Sequence, residues 1–351
     1  MNVALIHAYS SKNSGDGLLV EESLAIARQA FGHDVAVDLF ASEPETFEYK
    51  FRNRYKTIPS KLGYDRQYLK KIRHLDDYDF VLAVGGGYLR GGTPVELVKM
   101  LLVHGPQLYF ASRSTSPTMY LPQSIGPLGY GLRPWIRSCL RKIDFVAARD
   151  ARTTAEVGLE NVERRPDLAI SANSERILSE KNLDGLPVLS VREIRGQMPP
   201  LVNDLSILLG QYESYIQSRT RGNDDTLVTS QLSPTREISR GELLDSDTAR
   251  VVIAVRLHAA LMAIQAGHFV IHLAYERKGF GAFDDLGIPE YVHNVNSFDP
   301  TLIMYQVNRL YTSASERSRY FETVQKVRSH STVERKSIVD QIRGRVAHSG
   351  V

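Results

Sequence analysis

A single cysteine, Cys139, stands among 351 residues, so no intrachain disulfide can form and the chain suits a reducing compartment. Its setting, WIRSCLRKI, reads as a helix, and the thiol as a buried structural one rather than a nucleophile. No uncharged apolar run approaches the roughly 20 residues of a membrane span. The opening MNVALIHAYSSKNSGD has no basic n-region, and its apolar run is too short for a signal peptide. A cytoplasmic protein is the expectation. The formal charge is only +3 and no concentrated basic block stands out, so nucleic acid is not an expected partner. HExxH, CxxC, GxxxxGK[ST] and GxSxG are all missing, and neither a metal nor a cofactor is expected.

What is present is the composition of a soluble globular protein, 42% hydrophobic and 24% charged. The chain is too long for one ordinary core. Short β-rich runs alternate with helical patterns, the signature of parallel α/β sheets. In the first half NVALIHAY, DVAVDLF, DFVLAVGGG, TMYLPQSIGP and DFVAARD read as strands, TMYLPQSIGP breaking into a proline-bounded loop. The pattern restarts with LPVLSVREIRG, then a helix from Leu201 to Ser218, then strands DTLVTSQ, RVVIAV, HFVIHLAY and YVHNV. The expected organisation is therefore a Rossmann-like domain over 1–170, a polar linker over 171–185, a second Rossmann-like domain over 186–300 and a helical tail over 301–351. Two such halves would face each other across a cleft, with ligands beyond the carboxyl ends of the strands.

Those strand ends carry the chemistry. VVIAV is apolar on both faces and reads as a buried parallel strand. Arg256 and His258 follow it, where the helix AALMAIQA begins and its amides point outward. Lys278 follows the next strand, and Arg192 follows PVLSV with Arg195 three residues on. A guanidinium, an imidazole, an ammonium and a helix N-terminus make an anion site suited to phosphate or carboxylate. The plainer reading pairs Arg256 and Lys278 with surface acids. In the first half NSGD joins strand to helix. Gly15 allows a tight turn, Asn13 or Asp16 can cap the helix, and Asp16 is alternatively a cleft residue acting on a hydroxyl. Gly85, Gly86 and Gly87 are not GxGxxG and suit a ligand approaching backbone. Gln123 and Ser124 are neutral hydrogen-bonders for a sugar. Arg149 and Asp150 read as an ion pair or a ligand contact.

NSGD, AVGGG, LPQSIGP, ARD, SVR and RLHAALMAIQAG…LAYERK…LG, in this order, resemble the polysaccharide pyruvyltransferase family. The resemblance implies a two-domain fold like the GT-B glycosyltransferases. It implies transfer of pyruvate from phosphoenolpyruvate, as co-substrate, to two hydroxyls of a sugar in a cell-surface polysaccharide or its precursor, giving a cyclic ketal. Arg192, Arg256 and Lys278 would hold the donor. His258 would act as general acid/base, with Asp16 as a partner for an acceptor hydroxyl. Asn13, Gly15, Gly86, Gly87, Gln123 and Ser124 would lie on the acceptor side. Departures exist, among them GHFVIHL in place of a common glycine–proline.

Two rival readings stand beside this one. One is a GT-B glycosyltransferase using a nucleotide sugar, whose diphosphate would suit the same cations. The other is a non-catalytic sugar-binding subunit. The stretch from Arg317 to Arg345 is basic. It reads as a solvated helix face, or as a weak attraction to the inner face of an anionic membrane, which a lipid-linked acceptor would explain.

Overall fold

The computed structural model describes residues 1–171, 181–220 and 223–348. It divides into two units. One holds Met1–Ser11, Asp16–Leu168 and the described residues from Val333 on. The other holds Lys12–Gly15 and the described part of Ala169–Thr332.

The first unit is built on a parallel sheet of strands β1 (Asn2–Ala8), β2 (Ala36–Ala41), β3 (Asn53–Lys56), β4 (Phe80–Ala83), β5 (Gly86–Gly91), β6 (Thr118–Leu128), β7 (Phe145–Ala148) and β8 (Val162–Arg164). Their order is β3-β2-β1-β4-β6-β7-β8, with β5 also on β6. Alternation along the strands sends side chains to opposite faces. Ala4, Ile6, Val81 and Ala83 enter one core, and Val3, Leu5, Phe80 and Leu82 the other. Cys139 belongs to the first core, and burial pushes its thiol up, which keeps it in the inert protonated form.

The second unit carries β9 (Val188–Ser190), β10 (Glu213–Tyr215), β13 (Glu237–Ile238), β14 (Val251–Ala254), β15 (Phe269–Ala274) and β16 (Val292–Asn294), with a hairpin of β11 (Arg219–Thr220) and β12 (Asn223–Asp224) beside them. The sheet order is β13-β10-β9-β14-β15-β16, all parallel. In each sheet the order reverses once. The reversal falls between β1 and β4 in the first and between β9 and β14 in the second. Such a switch point is where open α/β sheets leave a crevice beyond the strand ends.

Several expectations from sequence are corrected. DTLVTSQ is not a strand: Thr226–Ser230 is helical. Asp224, one residue before the N-cap Asp225, accepts from the Thr226 amide at 2.9 Å, a local side-chain bond that turns the chain against the β-branched run. The helix expected over Leu201–Ser218 ends at Leu209, because Gly210 turns the backbone left-handed, and Glu213–Tyr215 becomes a strand instead. TMYLPQSIGP does not break at its proline: β6 runs on to Leu128.

Of the linker expected over 171–185, residues 172–180 lie outside the described residues. The described end packs into the second unit. Leu183 bridges Ala249, and Lys181 Nζ donates to the Ala266 carbonyl at 2.8 Å. The tail is not a separate element either. Helix Ala314–His348 gives Ile338, Val339, Ile342 and Val346 to a core of the first unit. Its arginines pair with acids, Arg335 with Glu22 and Arg319 with Glu290 and Glu316, so packing accounts for much of the basic character.

Candidate functional site

The second unit's switch point is made by two neighbouring strands in register, with Ser190 opposite Ala254. Two residues beyond each partner stand Arg192 and Arg256. The Val255 amide donates to the Ser190 carbonyl at 2.8 Å, which extends the pairing to the brink of both arginines. The strands end here because the chain turns into helix Leu257–Gln265, whose N-cap is Arg256, a residue whose side chain does not cap the helix. Helix Arg277–Asp285 likewise starts without a side-chain cap, after β15. Helix N-termini left this way favour an anion.

Each cation has a partner. Arg256 is 5% exposed and donates from Nε and Nη2 to the two carboxylate oxygens of Asp225 at 2.5 and 2.6 Å. That is a buried fork-to-fork ion pair. Burial pushes the Asp225 carboxyl up, against the pull of Arg256 and of Arg192 behind it. Arg192 Nη1 donates to the Tyr275 hydroxyl at 2.5 Å, and its guanidinium lies 4.7 Å from the centre of that ring. Lys278 pairs with Glu276 at 2.9 Å across a partly exposed gap, a contact worth little and easily exchanged. The plainer expectation of acid pairing therefore holds for Arg256 and Lys278, although the Arg256 pair is buried rather than superficial. Asp225 offsets Arg256 and Glu276 offsets Lys278, and the Arg256 pair holds a rigid edge at the rim.

His258 is half-buried in the first turn of helix Leu257–Gln265. Asn13 and Gly15, expected on the acceptor side of the first domain, belong instead to the second unit. A Cβ on Gly15 would overlap the imidazole of His258, so the glycine is there for close approach rather than for an unusual turn. Asn13, not Asp16, caps helix Ser14–Phe31: its Oδ1 accepts from the Gly15 amide at 3.1 Å and from Gln217 Nε2 at 3.2 Å. Asp16 is left in the first helical turn, on the other unit's side of the division.

The first unit's switch point gathers other residues. Gly86 pairs with Gln123 in the β5–β6 register. Gln123 is fully buried, so it lies within the sheet and not on an open loop. The Ser124 hydroxyl donates to Asp150 Oδ2 at 2.5 Å and accepts from Arg149 Nε at 2.7 Å. Arg149 makes its ion pair with Asp167, at 2.6 Å, and not with Asp150. Asp150 caps the next helix through the Thr153 amide. Gly87 is exposed above this network, and a Cβ there would lie 3.4 Å from Arg149 Nη2. His7, at the end of β1, has a left-handed φ of 69°. Its Nδ1 lies 3.2 Å from His104 Nδ1 and its Nε2 3.0 Å from the Tyr120 hydroxyl, while Tyr88 stacks on both imidazoles. Burial pushes both imidazoles down, His104 to about 3.

Sequence reasoning missed Asp225, Tyr275, Asp167, His7 and His104. Each meets its partner only through the fold. The left-handed φ of His7 and its pairing with a residue 97 positions away have no local sequence signal.

Solved structures share this architecture at low identity. A Staphylococcus aureus MnaA–UDP co-structure matches with a TM-score of 0.58 and 11% identity, over 99% of this chain and 97% of that one. A trehalose-6-phosphate synthase, studied with bisubstrate glycomimetics, matches at 0.55 and 10%, over 98% and 99%. A glycosyltransferase from Rickettsia africae matches at 0.54 and 9%, over 99% and 97%. The fold is thus the α/β arrangement of GT-B proteins. No curated protein matches the chain. The family model for polysaccharide pyruvyl transferase matches residues 13–230, a span that runs from the Asn13 cap through β9 and Arg192 to Asp225. The chain belongs to the polysaccharide pyruvyl transferase family.

Proposed function

We propose that the protein transfers pyruvate from phosphoenolpyruvate to two hydroxyls of a sugar, in a cell-surface polysaccharide or its precursor, forming a cyclic ketal and releasing phosphate. The observation that carries this reading is the pair Arg192 and Arg256, set two residues beyond the Ser190–Ala254 register pair at the switch point of the second sheet. The uncapped helix at Leu257 starts between them and His258. Phosphoenolpyruvate carries a phosphate and a carboxylate on three carbons, and two guanidinium groups with an ammonium suit a donor with two anionic ends.

The chemistry then needs one proton donor near the enol. His258 protonates the methylene carbon, which becomes the methyl group, and leaves positive charge on the carbon that bears the phosphate ester. One sugar hydroxyl adds there and loses its proton. Phosphate departs with the former C–O bond pair and is protonated. The second hydroxyl closes the ring and gives up the proton that restores the catalyst. Arg192, Arg256 and Lys278 offset the charge of the departing phosphate. The Asp225 carboxylate holds the Arg256 guanidinium in one plane, so the donor meets a preset edge.

Phosphate release from phosphoenolpyruvate, measured across galactosides, glucosides and N-acetylmannosaminides with mass spectrometry of the products, tests this. Acceptor-dependent phosphate, with a product heavier by pyruvate less one water, is expected. Thermal stabilisation by a nucleoside diphosphate, with none by phosphoenolpyruvate, would overturn it in favour of a nucleotide-sugar glycosyltransferase. Saccharide binding with no donor binding would favour a non-catalytic subunit.

A further inference from the structure

The first unit turns an apolar helical face to solvent. The segment Pro94–Ala111 is helical throughout, with a π-turn over Met100–His104. That wider turn takes His104 into the interior and leaves neighbouring Leu101 and Leu102 both outside. Val95 is 77% exposed and Val98 54%, and Leu101, Leu102 and Tyr109 are also exposed. The Tyr64 hydroxyl donates to the Leu102 carbonyl at 2.7 Å. This brings the Ser60–Gly63 turn alongside, and Leu62 near its tip is 99% exposed. A folded chain rarely leaves six such side chains out on neighbouring segments without an interaction to fill.

The charge around them is mostly positive, and the nearby Asp76 carboxylate is engaged by Ser114 and Thr115. Lys99 lies within the stripe, and Arg113 stacks 4.5 Å over Tyr109 at its end. Lys61, Arg66 and Lys70 are exposed on the adjoining turn and helix. The helical segment has one acid, Glu96, and Arg90 holds it at 2.7 Å. Asp65 is taken up in capping the neighbouring helix.

We propose that this face docks the protein on an anionic lipid bilayer. The valines and leucines would enter the headgroup boundary, Tyr109 would sit at its polar edge, and the cations would meet lipid phosphates. Charge complementarity selects this occupant. A second copy placed face to face would set cation against cation, whereas an anionic headgroup layer answers every one. The inference lies within the first unit and does not depend on the reading of the donor rim.

Co-sedimentation of the full chain with vesicles tests it. One set is phosphatidylcholine alone, the other contains about a quarter phosphatidylglycerol. The expected result is binding to the anionic vesicles at least about tenfold tighter than to the neutral ones, weakening as salt is raised. V98E/L102E should lose about tenfold or more of that binding with an unchanged melting temperature, both positions being exposed. K61A/K70A should lose it in proportion to salt sensitivity. The proposal is overturned by no sedimentation with either vesicle, by equal sedimentation with both, or by a doubled mass in solution that V98E/L102E abolishes, which would make a second copy the occupant.

Discussion

Gly15 and His258 touch so closely that a single added methyl would occupy the imidazole's place. Gly15 is the second residue of one helix, His258 lies in the first turn of another, and both belong to the second unit. The glycine therefore sets where the imidazole can stand. Gly15→Ala should push the ring off its position while leaving Arg192 and Arg256 in place. Turnover is expected to fall by about tenfold or more, since general acid–base catalysis is typically worth two to four orders of magnitude and depends on reach. The melting-temperature rise caused by phosphoenolpyruvate should persist. His258→Ala should do the same more severely. Wild-type turnover in either variant would reject His258 as the proton donor.

Asp225 is the residue on which Arg256 rests. Removing one member of a buried ion pair leaves the other charged and desolvated, at a cost of about 3–5 kcal/mol. Asp225→Ala should therefore lower the urea midpoint of the second unit and abolish the thermal shift by phosphoenolpyruvate together. Arg256→Lys keeps the charge but not the fork, and should weaken donor binding with a smaller loss of stability. An Asp225→Ala protein of wild-type stability would show that the pair is not what holds this edge.

Acid should destabilise the fold through its histidines. Burial holds His268 and His272 down at about 4, partly opposed by the carbonyls of Leu243 and Ala254, and it holds His104 at about 3. These values lie below the ordinary imidazole value, so the unfolded chain takes up protons that the native chain refuses. The stability they contribute is complete above roughly pH 6.5 and is lost as pH falls from there towards 4. Each group adds up to about 1.4 kcal/mol per pH unit in that window. Urea unfolding followed between about pH 7 and about pH 5 should show a slope steeper than one proton. A flat profile would mean that these imidazoles are protonated in the native state.

What the sequence showed and what it hid follow one physical line. The rim of Arg256 and His258 was legible because VVIAV followed by AALMAIQA changes period within a few residues, and the junction of a buried strand with a helix can only be a strand end. Which acids answer those cations was not legible. Asp225 lies 31 residues from Arg256, and nothing local connects them. The same region misled the strand assignment of DTLVTSQ, because its threonines and valine favour strand while the deciding bond comes from Asp224, just outside the apolar run. In the first unit, the glycines and QSIGP read as strand ends, but Gln123–Pro127 lies inside β6 and Gly86 opens β5. Burial of Gln123 and the use of Ser124 by Arg149 and Asp150 depend on neighbours that a one-dimensional pattern does not contain.

The two arginines after β9 are distinguished by what surrounds them. Arg192 is half-buried, bonded to the Tyr275 hydroxyl and stacked on its ring, so its guanidinium is held at the end of the sheet. Arg195 is exposed, has a left-handed φ of 55°, and sits in a tight turn closed by the Ile194 amide on the Gln197 carbonyl at 2.9 Å. On the proposed function, Arg192 is the one that meets the donor. Arg192→Ala should raise KM for phosphoenolpyruvate by about tenfold or more, the loss of one charge-assisted contact, with a smaller change in kcat. Arg195→Ala should stay within about twofold of wild type on both, as exposed substitutions usually do. Tyr275→Phe should lie between them, because it keeps the ring under the guanidinium but removes its hydrogen-bond partner. Steady-state kinetics on the three variants decides the assignment: if Arg195→Ala carries the KM effect and Arg192→Ala does not, the donor lies over the turn and not over the strand ends.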